Sequence, residues 1–175
     1  MPARHWRSLH TAAMQRLVLL LLAALLSACA TPANDPRLVP GRSTVAEART
    51  IYGKVTRIWP DAGGGQTLEY SQQPYGEHCY MLSFDAEGRL LTARDGLAPN
   101  ERSRVQPGMS MEQVERMLGR ELSRVAFSRS GEEVWDWNIT PPGGFLLRFN
   151  VFFKDGRVVR AAEILIDTDR RHPYR

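Results

Sequence analysis

The stretch PGMSMEQVERMLG, residues 107–119, contains the signals that start and stop a short helix, and a blurred copy, PGRSTVAEARTIYG, occupies residues 40–53. In the later copy Ser110 is a good N-cap, because its hydroxyl can accept an N–H that the first helical turn leaves unpaired. Gln113, three residues on, can return the bond and complete a capping box. Met111, Val114, Met117 and Leu118 form an apolar stripe at helical spacing, and Gly119 supplies the stop. In the earlier copy Thr44 and Glu47 make the box, Val45, Ala48, Ile51 and Tyr52 the stripe, and Gly53 the stop. The two caps lie 66 residues apart, with one extra residue after Gly41 in the first copy. A duplicated capped helix, each time opening a run of strand-like sequence, points to a tandem architecture.

The strand-like runs repeat as well. TLEY at 67–70 answers VWDW at 134–137, and MLSFDAEGRLL at 81–91 answers VFFKDGRVV at 151–159. Asp155-Gly156 is a two-residue hairpin signal, since glycine supplies positive φ freely and aspartate tolerates it. From Phe145 to Phe153 the apolar residues Phe145, Leu147, Phe149, Val151 and Phe153 alternate onto one face, with Arg148, Asn150 and Phe152 on the other. Each unit thus reads as a capped helix followed by about three antiparallel strands. One unit of roughly 65 residues is near the lower limit for burying its own core, so the two are expected side by side. The expected fold is α+β: two tandem helix-then-antiparallel-strands repeats forming one sheet with helices on one face and the other face open.

The N-terminus reads as an address. Arg4, Arg7 and Arg16 precede the apolar run Leu17 to Leu26, with no acidic residue before the run ends. That is the charged start and short apolar middle of a secretory signal peptide, and the run falls short of the about 20 residues of a membrane span. Met14 is an alternative start. The tetrapeptide Leu26 to Cys29, LSAC, resembles a bacterial lipobox. The resemblance implies cleavage before Cys29, acylation of its thiol and, with Ala30 following, sorting to the outer membrane. The simpler alternative is an ordinary signal peptide with an incidental cysteine. The organisation expected is signal peptide 1–28, lipid-anchored linker 29–40 with three prolines, first repeat 41–104, second repeat 105–166 and polar tail 167–175.

Removing the signal also removes the basicity. The chain has 23 Lys+Arg against 19 Asp+Glu, and three of those arginines lie within residues 1–28, leaving 20 against 19. Nothing here suggests a basic face for nucleic acid. Outside the signal only His78 and His172 are available for general acid–base work, and in a strand His78 and Cys79 point to opposite faces. Cys79 reads as a small buried residue, with a reactive thiol or intermolecular bridge as alternatives. No zinc-ligand spacing occurs, and Gly63 to Gly65 lack the Lys-Ser/Thr of a phosphate loop. They are expected to link a helix to a strand. Trp135 and Trp137 could form a ligand platform, but packing under the helix explains them better. No enzyme, no metal and no cofactor beyond the covalent lipid on Cys29 is expected.

The string Pro107-Gly108-Met109-Ser110, leading through Val114 to Leu118-Gly119, resembles the BamE-like (SmpA/OmlA) domain of outer-membrane lipoproteins. In that family the helix precedes a W-x-Y-like strand and an F…DG-V hairpin; here Trp135-Asp136-Trp137 and Phe152 through Val158 correspond, with Trp137 in place of the usual Tyr. The first half matches more loosely, through Gly41, Gly53, Leu68, Tyr70, Phe84 and Gly88. The resemblance implies a non-catalytic accessory lipoprotein of the β-barrel assembly machine. Tandem copies resemble the β-lactamase-inhibitor-like architecture, which implies as the alternative a periplasmic binder that captures a hydrolase in a concave sheet. The partners expected are the outer membrane through the anchor and one or more envelope proteins, with the β-barrel assembly machine a candidate. Strand parity assigns Glu69, Ser71, Ser83, Asp136, Asn138, Arg148 and Asn150 to the open, protein-binding sheet face.

Overall fold

The computed structural model describes residues 35–141 and 143–166. The signal peptide, Cys29, most of the linker and the polar tail lie outside them. Among the described residues no helix is long and apolar enough to cross a membrane.

The duplicated helices form where the caps require. Helix α1 spans Val45–Tyr52 with Thr44 as N-cap and a complete capping box with Glu47. Strands β1 (Arg57–Pro60), β2 (Gln66–Ser71), β3 (Cys79–Phe84) and β4 (Leu90–Asp95) follow, then a single helical turn α2 (Pro99–Arg102). Helix α3, Met111–Leu118, has Ser110 as N-cap and a reciprocal box with Gln113. Strands β5 (Ser123–Phe127), β6 (Glu132–Asn138), β7 (Leu147–Lys154) and β8 (Arg157–Leu165) complete the chain. At the β7–β8 hairpin Asp155 (φ 50°) and Gly156 (φ 72°) both take positive φ, the pattern of a two-residue primed turn. Because the Ser110 hydroxyl serves the Gln113 N–H, Ser110→Ala is expected to lower the unfolding free energy by about 1 kcal/mol. Urea denaturation reads this; an unchanged midpoint would show the cap to be redundant.

The expected α+β arrangement, one sheet with helices on one face, is not adopted. The chain is mostly β, and its strands form two separate four-stranded antiparallel sheets, ordered β1-β2-β3-β4 and β5-β6-β7-β8. Each sheet has four strands where three were expected, because β1 and β5 are short and lack clear alternation. Gly63 and Gly64 therefore connect two strands, β1 and β2, in a tight 3-10 turn, and not a helix to a strand. Phe145 falls outside β7 and is exposed.

The reason for two sheets lies in what α3 covers. Val114 and Leu118 are fully buried in a cluster that takes Trp59, Cys79 and Met81 from the first sheet. The same cluster takes Trp135, Trp137, Phe149, Val151, Phe153 and Val158 from the second. α3 is amphipathic, and the one apolar stripe it buries, Val114 and Leu118, joins a cluster to which both sheets contribute. Burying the two tryptophans alone removes about 150–250 Å² each from water, which favours stacking over edge-to-edge continuation. Polar ties hold the helix C-terminus to the first sheet: Arg94 donates to the carbonyls of Met117 (2.7 Å) and Arg116 (3.0 Å). The other face of the first sheet receives α1, whose Tyr52 ring lies 5.2 Å from Tyr70 and 5.1 Å from Tyr80. Among the described residues, helices cover both faces of the first sheet and one face of the second.

Candidate functional site

Parity grouped the first-sheet residues correctly but misjudged what lies over them. Register places Thr67 opposite Ser83, Glu69 opposite Met81 and Ser71 opposite Cys79, so Glu69, Ser71 and Ser83 share the face that α3 covers. Glu69 is fully buried. Its carboxylate accepts the Trp59 indole N–H at 2.9 Å and the Arg120 backbone N–H at 2.8 Å, just past the end of α3. Burial pushes its pKa up, outweighing the two donors that pull it down. Ser83 Oγ is 2.7 Å from Thr67 Oγ1, and Ser71 Oγ accepts the Gln73 N–H. These three residues are internal fastenings, and their assignment to an open binding face is withdrawn.

The other four sit together. Register sets Asp136 opposite Asn150 and Asn138 opposite Arg148, on the side of the second sheet away from Trp135, Trp137 and Phe149. Neighbouring strands add Ser123, opposite Asp136, and Ala162 and Ile164, opposite Asn150 and Arg148. Val134, Phe152 and Arg160 form the next row, with Arg160 held 3.2 Å above the Phe152 ring. Val125 lies opposite Val134 and Phe127 opposite Glu132; Val125 is 47% and Phe127 50% exposed. Towards that end the apolar Val125, Phe127, Val134 and Phe152 are interleaved with Glu132, Lys154 and Arg160; at the other end stand Asp136, Asn138, Arg148 and Asn150.

Its polar end is incompletely satisfied. Asp136 accepts a hydrogen bond from Ser123, and Arg148 Nη1 lies 3.8 Å from Asp136 Oδ2, beyond hydrogen-bonding reach. Arg148 Nη1 and Asn150 Oδ1 are both shielded from solvent and neither has a hydrogen-bond partner among the described residues. Leaving a buried polar atom unpaired costs about 1–3 kcal/mol, so one donor and one acceptor side by side offer a definite gain to a molecule that satisfies both. Asn138 is less available than parity suggested. It is buried and its backbone N–H donates to Gln73 Oε1 (2.9 Å), while Gln73 Nε2 donates back to its carbonyl (3.0 Å). The loop between β2 and β3 thus closes over that end of the sheet.

Among the described residues, the side chains singled out for chemistry make the following contacts. His78 Nδ1 lies 2.7 Å from Asp95 Oδ2, and its ring stacks 5.5 Å from Tyr80. Cys79 faces the opposite way, into the core beside Met81, where burial and the nearby carboxylates of Glu69 and Asp95 hold its thiol pKa well above the ordinary value. Trp135 and Trp137 are buried, the first under the Arg124 guanidinium at 3.8 Å, the second donating to the Gly119 carbonyl at 3.1 Å. Among the described residues no group of His, Cys, Asp and Glu is placed to hold a metal ion.

Sequence reasoning missed the apolar part of the candidate face. Val125, Phe127, Val134 and Ile164 belong to it, and the alternation of β7 that revealed Arg148 and Asn150 already contained Phe152. What was lacking was β5, whose five residues are all exposed and so carry no hydrophobic pattern. Comparison of the chain with family models, with curated proteins and with solved structures found no match in any of the three.

Proposed function

We propose that the protein is a non-catalytic, lipid-anchored lipoprotein of the outer membrane, working as a periplasmic adaptor that grips another envelope protein through the uncovered face of its second sheet. The observation that carries this reading is the pair of shielded groups without a hydrogen-bond partner among the described residues, Arg148 Nη1 and Asn150 Oδ1, on the sheet face that also carries exposed Val125 and Phe127. Such a mixture of apolar area and unpaired donor and acceptor is what a protein interface completes. The LSAC tetrapeptide supports the anchor through Cys29, and the resemblance to BamE-like domains supports a role in outer-membrane protein assembly or envelope integrity. The inhibitor alternative drew on a concave sheet formed by both units, whereas the described strands form two separate four-stranded sheets; the adaptor reading is preferred.

The test separates binding from folding. Asn150→Ala removes an oxygen that has no partner in the free protein, so it should leave thermal stability unchanged or slightly raised. Recovery of the envelope partner by the tagged, acylated chain in mild detergent should fall at least tenfold. A loss of stability without loss of partner, or no partner recovered with the wild-type chain, would count against the reading. Cys29→Ala should independently release the protein from the outer-membrane fraction.

A further inference from the structure

Asp136, Arg148 and Asn150 set a hydrogen-bonding pattern on the second sheet that restricts which chemical group can complete it. Asp136 lies opposite Asn150 across the β6–β7 pair, and Arg148 stands two residues before Asn150 on β7. One Asp136 oxygen is taken by Ser123. The other, Oδ2, lies 3.8 Å from Arg148 Nη1, too far for a hydrogen bond. The groups turned to the open face are thus two acceptors, Asp136 Oδ2 and Asn150 Oδ1, and one donor, Arg148 Nη1. The carboxylate and the guanidinium offset one another, and the flanking Ser123, Asn138, Ala162 and Ile164 are uncharged. There is no net charge here for an ionic group to answer. Arg148 and Asp136 keep 20% and 16% of their side chains exposed, and Asn150 is half-buried. The terminal torsion of an asparagine is broad, so its oxygen turns outward to meet an occupant at little cost.

We propose that these three residues form a socket for a neutral side-chain carboxamide, a glutamine or asparagine presented by the partner; this rests on the adaptor reading and names the group that the partner inserts. A carboxamide carries two N–H donors and a carbonyl acceptor on one planar group, the complement of two acceptors and one donor. A lysine or arginine brings donors alone and meets the Arg148 charge. A carboxylate satisfies Arg148 but faces two further oxygens, Asp136 Oδ2 and Asn150 Oδ1. A trans peptide unit points its C=O and N–H in opposite directions, so one laid over the face cannot serve a donor and an acceptor side by side. In a primary carboxamide the oxygen and one N–H lie on the same side. The fold already uses this match at the same end of the sheet. The Gln73 carboxamide accepts the Asn138 backbone N–H (2.9 Å) and donates to the Asn138 carbonyl (3.0 Å).

The probe is N-acetylglutamine methylamide, titrated into the isotope-labelled full chain in mild detergent and followed by NMR at the Asn150 side-chain amide and the Ser123 and Asp136 backbone N–H groups. The glutamate, lysine and alanine analogues share its backbone and serve as controls, and methyl glucoside tests a hydroxylated ligand. Saturable shifts with the glutamine compound are expected, about tenfold tighter than with any control and lost in Asn150→Ala, whose fold circular dichroism confirms. An equal or stronger response to the glutamate, lysine or alanine compound, or to methyl glucoside, overturns the socket. So does the absence of a saturable shift, or glutamine binding that Asn150→Ala leaves unchanged. The titration needs no partner, so its failure is read apart from that of the adaptor reading. A partner recovered without any carboxamide preference sinks the socket alone; carboxamide binding with no partner recovered supports the socket and sinks the adaptor.

Discussion

Gly119→Ala is expected to destabilise the protein by about 3 kcal/mol. Two terms add. Gly119 sits at φ 78° and ψ −166°, a backbone region reached essentially by glycine alone, in which a side chain is strained by about 1–3 kcal/mol. An alanine Cβ there would also overlap Cys79 Sγ and press on Glu69 Cδ at 3.3 Å, and overpacking of this kind costs about 1–3 kcal/mol. The residue is fixed from every side. Its N–H donates to Glu115, its carbonyl accepts from Trp137, and its Cα lies against the first sheet. Because the nearest steric partner is the Cys79 sulfur, the prediction can be dissected. In a Cys79→Ala background that overlap is removed while the backbone strain and the Glu69 contact remain, so Gly119→Ala should cost about 2 kcal/mol less. The coupling of about 2 kcal/mol between two positions 40 apart in sequence is measurable by urea denaturation of the four chains. Additive effects would mean that α3 is not seated against β3 as described.

Glu69→Ala should be at least as damaging, by about 3–5 kcal/mol, since it orphans two buried donors, the Trp59 indole N–H and the Arg120 backbone N–H. Glu69→Gln retains the shape and one acceptor and should cost less. The pH dependence distinguishes the two roles of the carboxylate. Burial raises the Glu69 pKa in the folded protein above its ordinary value of 4.5. Between that value and the raised one, the folded state holds a proton that the unfolded chain has released. Raising the pH through this window therefore removes stability that is fully present below pH 4.5. The advantage of wild type over Glu69→Gln should be largest in mild acid and shrink as the pH rises through the window. A difference that stays flat, or grows with pH, would show that Glu69 is ionised at no penalty.

Much of the local structure was legible. Ser110 with Gln113 and Thr44 with Glu47 announce the helix starts, because an unpaired N–H and a nearby hydroxyl or carboxylate need no tertiary context to find each other. Gly53 and Gly119 announce the stops, and Asp155-Gly156 the hairpin. Strand parity was equally sound: Glu69, Ser71 and Ser83 do share one face, and Asp136, Asn138, Arg148 and Asn150 do share another. β1 and β5 were not legible. A strand of four or five residues at a sheet edge, half or wholly exposed, shows no period that distinguishes it from a loop.

By itself, then, the sequence determined where the two helices begin and end and which side chains of a strand travel together. Both follow from interactions within about four residues of the chain. Only the tertiary structure decided what each face meets. Glu69 looked like a solvent-facing charge until α3 closed over it and brought the Arg120 N–H to its oxygen. Arg148 and Asn150, equally polar and equally placed by alternation, were left on the face that no described helix covers. The difference arises because the apolar stripe of α3 packs into the cluster shared by both sheets, and no pattern within a strand records which element will pack upon it.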